Sequence, residues 1–183
     1  MDDALERVDP DGALARAREL KLMIFDVDGV MTDGTLYYSE RGEEMKAFNT
    51  QDGHGIKMLK QYGVEVALIT ARSSRAVELR AANLGIAHLY QGVEDKRVAY
   101  AALLAQLGLA AGQSGYMGDD LLDLPLITRC GFAATVPAAP EALRKRAHFL
   151  TRAPGGRGAV REVCEFILRA QGTLERAIGA HLQ

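Results

Sequence analysis

Short apolar runs alternate with amphipathic stretches along most of the chain. Residues 20–26, "LKLMIFD", are apolar up to a turn, the pattern of a strand buried on both faces. "VEVALIT" (64–70), "IAHLYQG" (86–92) and "SGYMGDD" (114–120) repeat it, and "GFAATV" (131–136) and "HFLT" (148–151) add two shorter runs. Segments of helical period lie between them. "GIKMLKQYG" (55–63), "ARSSRAVELRAANLG" (71–85, opening on serines) and "EDKRVAYAALLAQLG" (94–108) each close on a glycine suited to a helix C-terminus. "DLPLITRC", "EALRKRA" and "AVREVCEFILRAQG" complete the helical set, before a small-residue tail from about 172 to 183. "TLYYS" and "EEMKAFN" alternate on either side of "ERG", which predicts a β-hairpin over 35–49. Residues 1 to about 19 read as an extension, a mobile acidic start leading into a helix over 13–20.

This alternation predicts one α/β domain over 1–183. Its core is a Rossmann-like open parallel sheet flanked by helices, with the hairpin inserted after the first strand. In such sheets ligands bind beyond the carboxyl ends of the strands. At 183 residues, 48% hydrophobic and 25% charged, the chain can bury a substantial core. A formal charge of −2 leaves no footprint for nucleic acid or an anionic membrane surface. No stretch has the length and apolarity to span a bilayer. The start lacks the apolar core of a signal peptide, and two cysteines, Cys130 and Cys164, are too few for a disulfide scaffold. They read as buried, reduced thiols, and the expected location is the cytoplasm.

The polar residues following the strands converge in kind. The first strand ends in Asp26 and Asp28, the second in Thr70 with Arg72 two residues on. Lys96 opens the helix after the third, and Asp119 and Asp120 close the fourth, with Asp123 one turn later. Such a set suits phosphoryl transfer through an aspartyl phosphate. Asp26 and Asp119, with the backbone carbonyl of Asp28, would hold Mg²⁺, which takes oxygen ligands and few carboxylates. The ion and Lys96 would offset charge on the transferring group, and Thr70 would donate to a phosphate oxygen. Asp28 is left for proton transfer, as acid toward the leaving alkoxide and then as base toward water. Taken singly, Asp26 and Asp28 read as a turn, Thr70 as a helix cap and Lys96 as a solvated residue, so the assignment rests on the set. Asp120 and Asp123 either serve the site or favour the positive end of the following helix. Asp33 reads as the start of the hairpin. His54, His88, His148 and His181 lack metal-ligand spacing and read as structural or surface residues.

"DVDGV", "LITAR", "EDK" and "GDDLLD", in this order and each after a strand, resemble the four motifs of the haloacid dehalogenase-like superfamily. The resemblance implies Asp26 as nucleophile, Asp28 as acid and base, Thr70 and Lys96 at the phosphate and Asp119 at Mg²⁺. Only 41 residues separate Asp28 from Thr70, and 25 separate Thr70 from Lys96, which leaves no room for a cap domain. An uncapped site lies open to water, so a neighbouring subunit is the simplest cover.

Residues 20–176 further resemble the 3-deoxy-D-manno-octulosonate 8-phosphate phosphatase family. "DVDGVMTDG", "GEEMKAFNTQDGHGIK", "GIAHLYQG", "YMGDDLLDLP" and "TRAPGGRGAVREVCEFILRAQGTLE" carry the match. It implies a sugar-acid phosphate substrate and substrate contacts at Asp28, Asn49, Asp52, Gly53, Arg72, Arg80 and Lys96. It also implies a homotetramer whose C-terminal tail, with "GGRGAVRE", reaches a neighbouring active site. Arg72 and Arg80, eight apart, would share one helix face, and a guanidinium can clasp phosphate or carboxylate with two donors. Gln51, Lys57 and Ala71 depart from the family pattern of a basic residue, Arg and Gly, which bears on sugar recognition and not on phosphoryl chemistry. A nine-carbon sugar acid 9-phosphate is the competing substrate, and a non-catalytic assembly module the competing class. A phosphomutase would need the missing cap.

Overall fold

The computed structural model describes residues 10–182; the acidic start expected over the first residues lies outside them. Helix α1 (Pro10–Arg18) leads into β1 (Leu22–Phe25), whose four side chains are all buried. The short antiparallel strands β2 (Tyr37–Tyr38) and β3 (Glu44–Met45) follow as the expected hairpin. Next come α2 (Thr50–Gln61), β4 (Glu65–Ile69), α3 (Arg75–Leu84), β5 (His88–Tyr90) and α4 (Lys96–Leu107). β6 (Ser114–Gly118), α5 (Leu124–Ile127), β7 (Phe132–Thr135), α6 (Glu141–Arg144), β8 (Phe149–Leu150), α7 (Ala159–Ala170) and α8 (Leu174–Gly179) complete the chain.

The main sheet has six strands in the order β5-β4-β1-β6-β7-β8, all parallel. β1 takes the middle because "LMIF" offers both its faces to other layers. Connections run outward from β1 to β4 and β5, then return to β6, so the chain reverses direction across the sheet beside β1. Right-handed crossovers place α2 and α3 on one face, where α7 and α1 also pack, and α4, α5 and α6 on the other. Cys130 and Cys164 are free and buried, and burial pushes both thiols upward, Cys130 to about 12. Among the described residues no helix is long and apolar enough to cross a membrane.

Several boundaries differ from the sequence expectation, α1 among them, which runs Pro10–Arg18 rather than 13–20. α2 starts at Thr50 rather than 55, because the Asn49 side chain accepts from the backbone N–H of Gln51 (2.7 Å) and Asp52 (3.2 Å). α3 starts at Arg75, so Arg72 lies in the preceding loop and shares no helix face with Arg80. The tail contains α8, seated through the buried side chains of Leu174 and Ala177. The "GGRG" stretch packs within its own chain. The Gly156 N–H donates to the Val30 carbonyl (2.9 Å), and a Cβ on Gly155 would overlap the Gly29 carbonyl.

Candidate active site

Asp26, Asp28, Thr70, Arg72, Lys96 and Asp119 line one cavity of about 260 Å³ at the carboxyl ends of β1, β4 and β6. Parallel pairing aligns these ends: Phe25 sits opposite Leu68 on β4 and Met117 on β6, so the residues that follow emerge side by side. The Asp26 N–H donates to the Met117 carbonyl (2.9 Å) and extends the ladder into the site. Ala71, Asp120 and Asp123 also line the cavity.

The buried centre is an ion cluster. Lys96, 5% exposed, places Nζ 3.1 Å from Asp26 Oδ2 and 2.6 Å from Asp123 Oδ1. Tyr116 donates its hydroxyl to the same Asp123 oxygen (2.6 Å) and accepts from Lys96 (3.1 Å). The other Asp123 oxygen accepts from the N–H of Asp119 (2.9 Å) and Asp120 (3.1 Å). Four donors thus occupy Asp123, which makes it an organiser of the cluster rather than only a partner of the next helix. Burial works against the Lys96 ammonium, yet the charges of Asp26 and Asp123 outweigh it and raise its pKa.

Asp26 and Asp119 have unspent capacity. Asp26 Oδ1 is buried without a hydrogen-bond partner. Burial, then repulsion from Asp123, pushes the Asp26 carboxyl up to about 6, and burial with repulsion from Asp26 pushes Asp119 up to about 7. Carboxyl oxygens of Asp26, Asp119 and Asp123 lie within 4.8 Å of one another. An orphaned oxygen among crowded carboxylates fits a hard divalent cation. Asp26 and Asp119 are the better ligands, since Asp123 is already engaged. Gly29 completes the arrangement. Its φ of +85° belongs to the left-handed region, and a Cβ there would collide with the Asp119 carboxylate, so glycine lets Asp119 lie against the backbone beside Asp28.

The hairpin supplies groups that sequence reasoning did not single out. Lys46, its side chain 1% exposed, donates to Asp28 Oδ1 and pairs with Glu44 (3.1 Å). Arg72 donates to Glu44 (2.6 Å) and to the Tyr38 hydroxyl (2.8 Å), and its Nε stands 3.9 Å from Asp28 Oδ2. The hydrogen bond from Arg72 is the main cause that pulls the Glu44 carboxyl down to about 2. The available signal was the alternation of "EEMK", which turns Glu44 and Lys46 to one side.

Four expected substrate contacts lie outside this cavity. Asn49 caps α2. Asp52, 2% exposed, turns to α7, where it accepts from the N–H of Gly158 (3.2 Å) and Arg161 (2.8 Å). Arg80 donates to the Asn49 carbonyl (2.9 Å), and its guanidinium lies where a Cβ on Gly53 would be. Gln51 and Lys57 are exposed away from the cavity. Asp33 accepts from the Thr35 N–H (3.0 Å), a turn role. Among the histidines, His148 accepts from the Ala133 N–H (2.8 Å), His54 and His181 meet edge-on, and His88 stands 3.9 Å from Glu65.

No family model matches the chain. It is 50% identical over 169 residues to the 3-deoxy-D-manno-octulosonate 8-phosphate phosphatase of Yersinia pestis, covering 92% of this chain and 90% of that one. The corresponding phosphatase of Escherichia coli K12 is 48% identical over 166 residues, covering 91% and 88%. The crystal structure of the Moraxella catarrhalis phosphatase of the same name, in complex with magnesium, phosphate and KDO, superposes with a TM-score of 0.92 at 43% identity. That match covers 93% of this chain and 98% of the other.

Proposed function

This chain belongs to the 3-deoxy-D-manno-octulosonate 8-phosphate phosphatase family of the haloacid dehalogenase-like superfamily, and we propose that it hydrolyses that sugar-acid phosphate to the free acid and phosphate. The observation that carries the reading is the meeting of Asp26, Asp28, Thr70, Lys96 and Asp119 in one cavity at the carboxyl edge of a parallel sheet. The step belongs to the supply of the eight-carbon acid for lipopolysaccharide.

Asp26 attacks phosphorus through its carboxylate, and the P–O bond to the sugar breaks as the aspartyl phosphate forms. Asp28 gives its proton to the departing alkoxide, then takes one from the water that cleaves the aspartyl phosphate. Lys96 holds Asp26 and offsets charge on the phosphoryl oxygens, Thr70 donates to one of them, and Arg72 binds the substrate anion. Asp26, Asp119 and the Asp28 carbonyl would hold Mg²⁺, which would supply electrostatic stabilisation of the transferring group.

The assembly reading is a homotetramer, with the cavity of one copy covered by another and the C-terminal tail reaching across. Its support is the missing cap and the exposed apolar side chains of the hairpin and tail: Tyr37 (43%), Met45 (59%), Ile178 (42%) and Leu182 (83%). Asn49 and Arg80 then meet substrate in the cavity of a neighbouring copy, while Asp52 and Gly53 act from the first turn of α2, Asp52 by holding the start of α7 and Gly53 by leaving room for the Arg80 guanidinium. Buried reduced thiols and a phosphorylated substrate favour the cytoplasm.

Phosphate release from the eight-carbon 8-phosphate and a nine-carbon 9-phosphate, with and without Mg²⁺, tests the reading. The expected result is Mg²⁺-dependent turnover with the higher kcat/KM on the eight-carbon ester, abolished in Asp26→Asn. A preference for the nine-carbon ester would overturn the substrate, and an inactive wild type the activity. Sedimentation of the full chain tests the tetramer.

A further inference from the structure

The hairpin carries a buried lysine with no part in the chemistry so far described. Glu44 and Lys46 are two residues apart and so turn to the same side, while Met45 between them points outward and is 59% exposed. An ammonium whose side chain is 1% exposed survives only with charged or polar partners. Lys46 has two, Asp28 and Glu44. Glu44 continues to Arg72, which it meets together with Tyr38, its own cross-strand neighbour. Arg72 closes the ring, its Nε 3.9 Å from the second Asp28 oxygen. Both oxygens of Asp28 therefore face cations tied to each other through Glu44.

The Asp28 side chain is 21% exposed, on the turn after β1, where an unpartnered carboxyl would explore several rotamers. Proton transfer to a leaving oxygen needs the acid within hydrogen-bond reach along one direction. We propose that Lys46 is a positioning residue for leaving-group protonation: by holding Oδ1 of Asp28 it leaves Oδ2, which no hydrogen bond among the described residues occupies, for the departing alkoxide and, through Glu44, couples that orientation to the Arg72 that receives the substrate. The proposal rests on the reading of Asp28 as the general acid.

The leaving group provides the test. p-Nitrophenolate departs without help, whereas a sugar alkoxide needs a proton. With Mg²⁺, kcat/KM reports phosphoryl capture by Asp26 before hydrolysis of the aspartyl phosphate. It would be measured for p-nitrophenyl phosphate, phenyl phosphate and the eight-carbon 8-phosphate in wild type, Lys46→Met, Lys46→Gln and Asp28→Asn. General acid help is worth about 10²–10⁴-fold, so Lys46→Met should lower the sugar-to-nitrophenyl ratio by at least about tenfold and steepen the dependence on leaving-group acidity between the two aryl esters. Lys46→Gln, which keeps a donor, should fall between. A misfolded fraction lowers all three rates together and leaves the ratios unchanged, so the readout does not depend on how much variant folds. Unchanged ratios in Lys46→Met beside selective loss in Asp28→Asn would overturn the role of Lys46 alone, and so would raised ratios, the result expected if the ammonium chiefly favours the ionised carboxyl. Unchanged ratios in Asp28→Asn would overturn the acid assignment and this proposal with it.

Discussion

Lys96 and Asp123 form a buried ion pair, Nζ to Oδ1 2.6 Å, across 27 residues of sequence, and the same aspartate organises the loop after β6. Removing it leaves the Tyr116 hydroxyl and two backbone N–H groups without their acceptor and Lys96 with Asp26 as its one remaining carboxylate partner. Asp123→Ala should cost about 3–5 kcal/mol, the usual consequence of breaking a buried charged network from one side. Urea unfolding without Mg²⁺ measures it, and a loss under about 1 kcal/mol would show that the network is not structural. Asp123→Asn keeps two acceptor positions and should lose less.

The raised carboxyls of Asp26 and Asp119 predict a pH dependence of the metal-free protein. Their folded values, about 6 and about 7, exceed the unfolded 3.8, so the folded state holds more protons between these limits. Their contribution is full below about pH 4 and is lost as pH rises through about 7. His54 and His148, lowered mainly by burial, act in the opposite direction within part of this window, so native protein must be compared with Asp119→Asn. The native Tm should fall relative to the variant from pH 4.5 to 7.5, at about 2–4 °C per kcal/mol. Mg²⁺ should raise the native Tm most above pH 7 and the variant's little. Parallel curves would refute the assignment.

Gly29→Ala tests the approach of Asp119 to the backbone. The methyl group meets both a left-handed φ and the carboxylate, so Asp119 must move. The expected result is a stability loss of about 1–3 kcal/mol and weaker Mg²⁺ activation, read from the metal dependence of turnover. Unaltered half-saturation by Mg²⁺ would remove Asp119 from the ligand set.

Mixed oligomers test whether Arg80 serves a neighbouring cavity. Asp26→Asn and Arg80→Ala proteins, each nearly inactive, should regain measurable turnover when unfolded together and refolded, because some cavities then receive a native Asp26 and a native Arg80 from different copies. No recovery beyond the sum of the parents would confine Arg80 to its own chain.

Local signals carried much of this architecture. The apolar runs located all six sheet strands, and the alternation around "ERG" located the hairpin. Helix starts were less legible. Asn49 begins α2 through a side-chain cap, a choice between several polar residues in "FNTQD" that periodicity does not weigh. "ARSS" could be helical by composition, yet the chain stays irregular to Ser74, and this detaches Arg72 from the face of Arg80.

The sequence by itself determined the alternating elements and the polar groups at the strand ends, because both depend on neighbours a few residues away and on a parallel sheet aligning those ends. Only the tertiary structure decided the partners. Asp28 finds Lys46 across 18 residues and Asp52 finds the start of α7 across 109, each set by how a hairpin folds back or how two helices pack. A carboxylate's residue type states what it can accept. Which donor fills it depends on the packing that brings distant segments together.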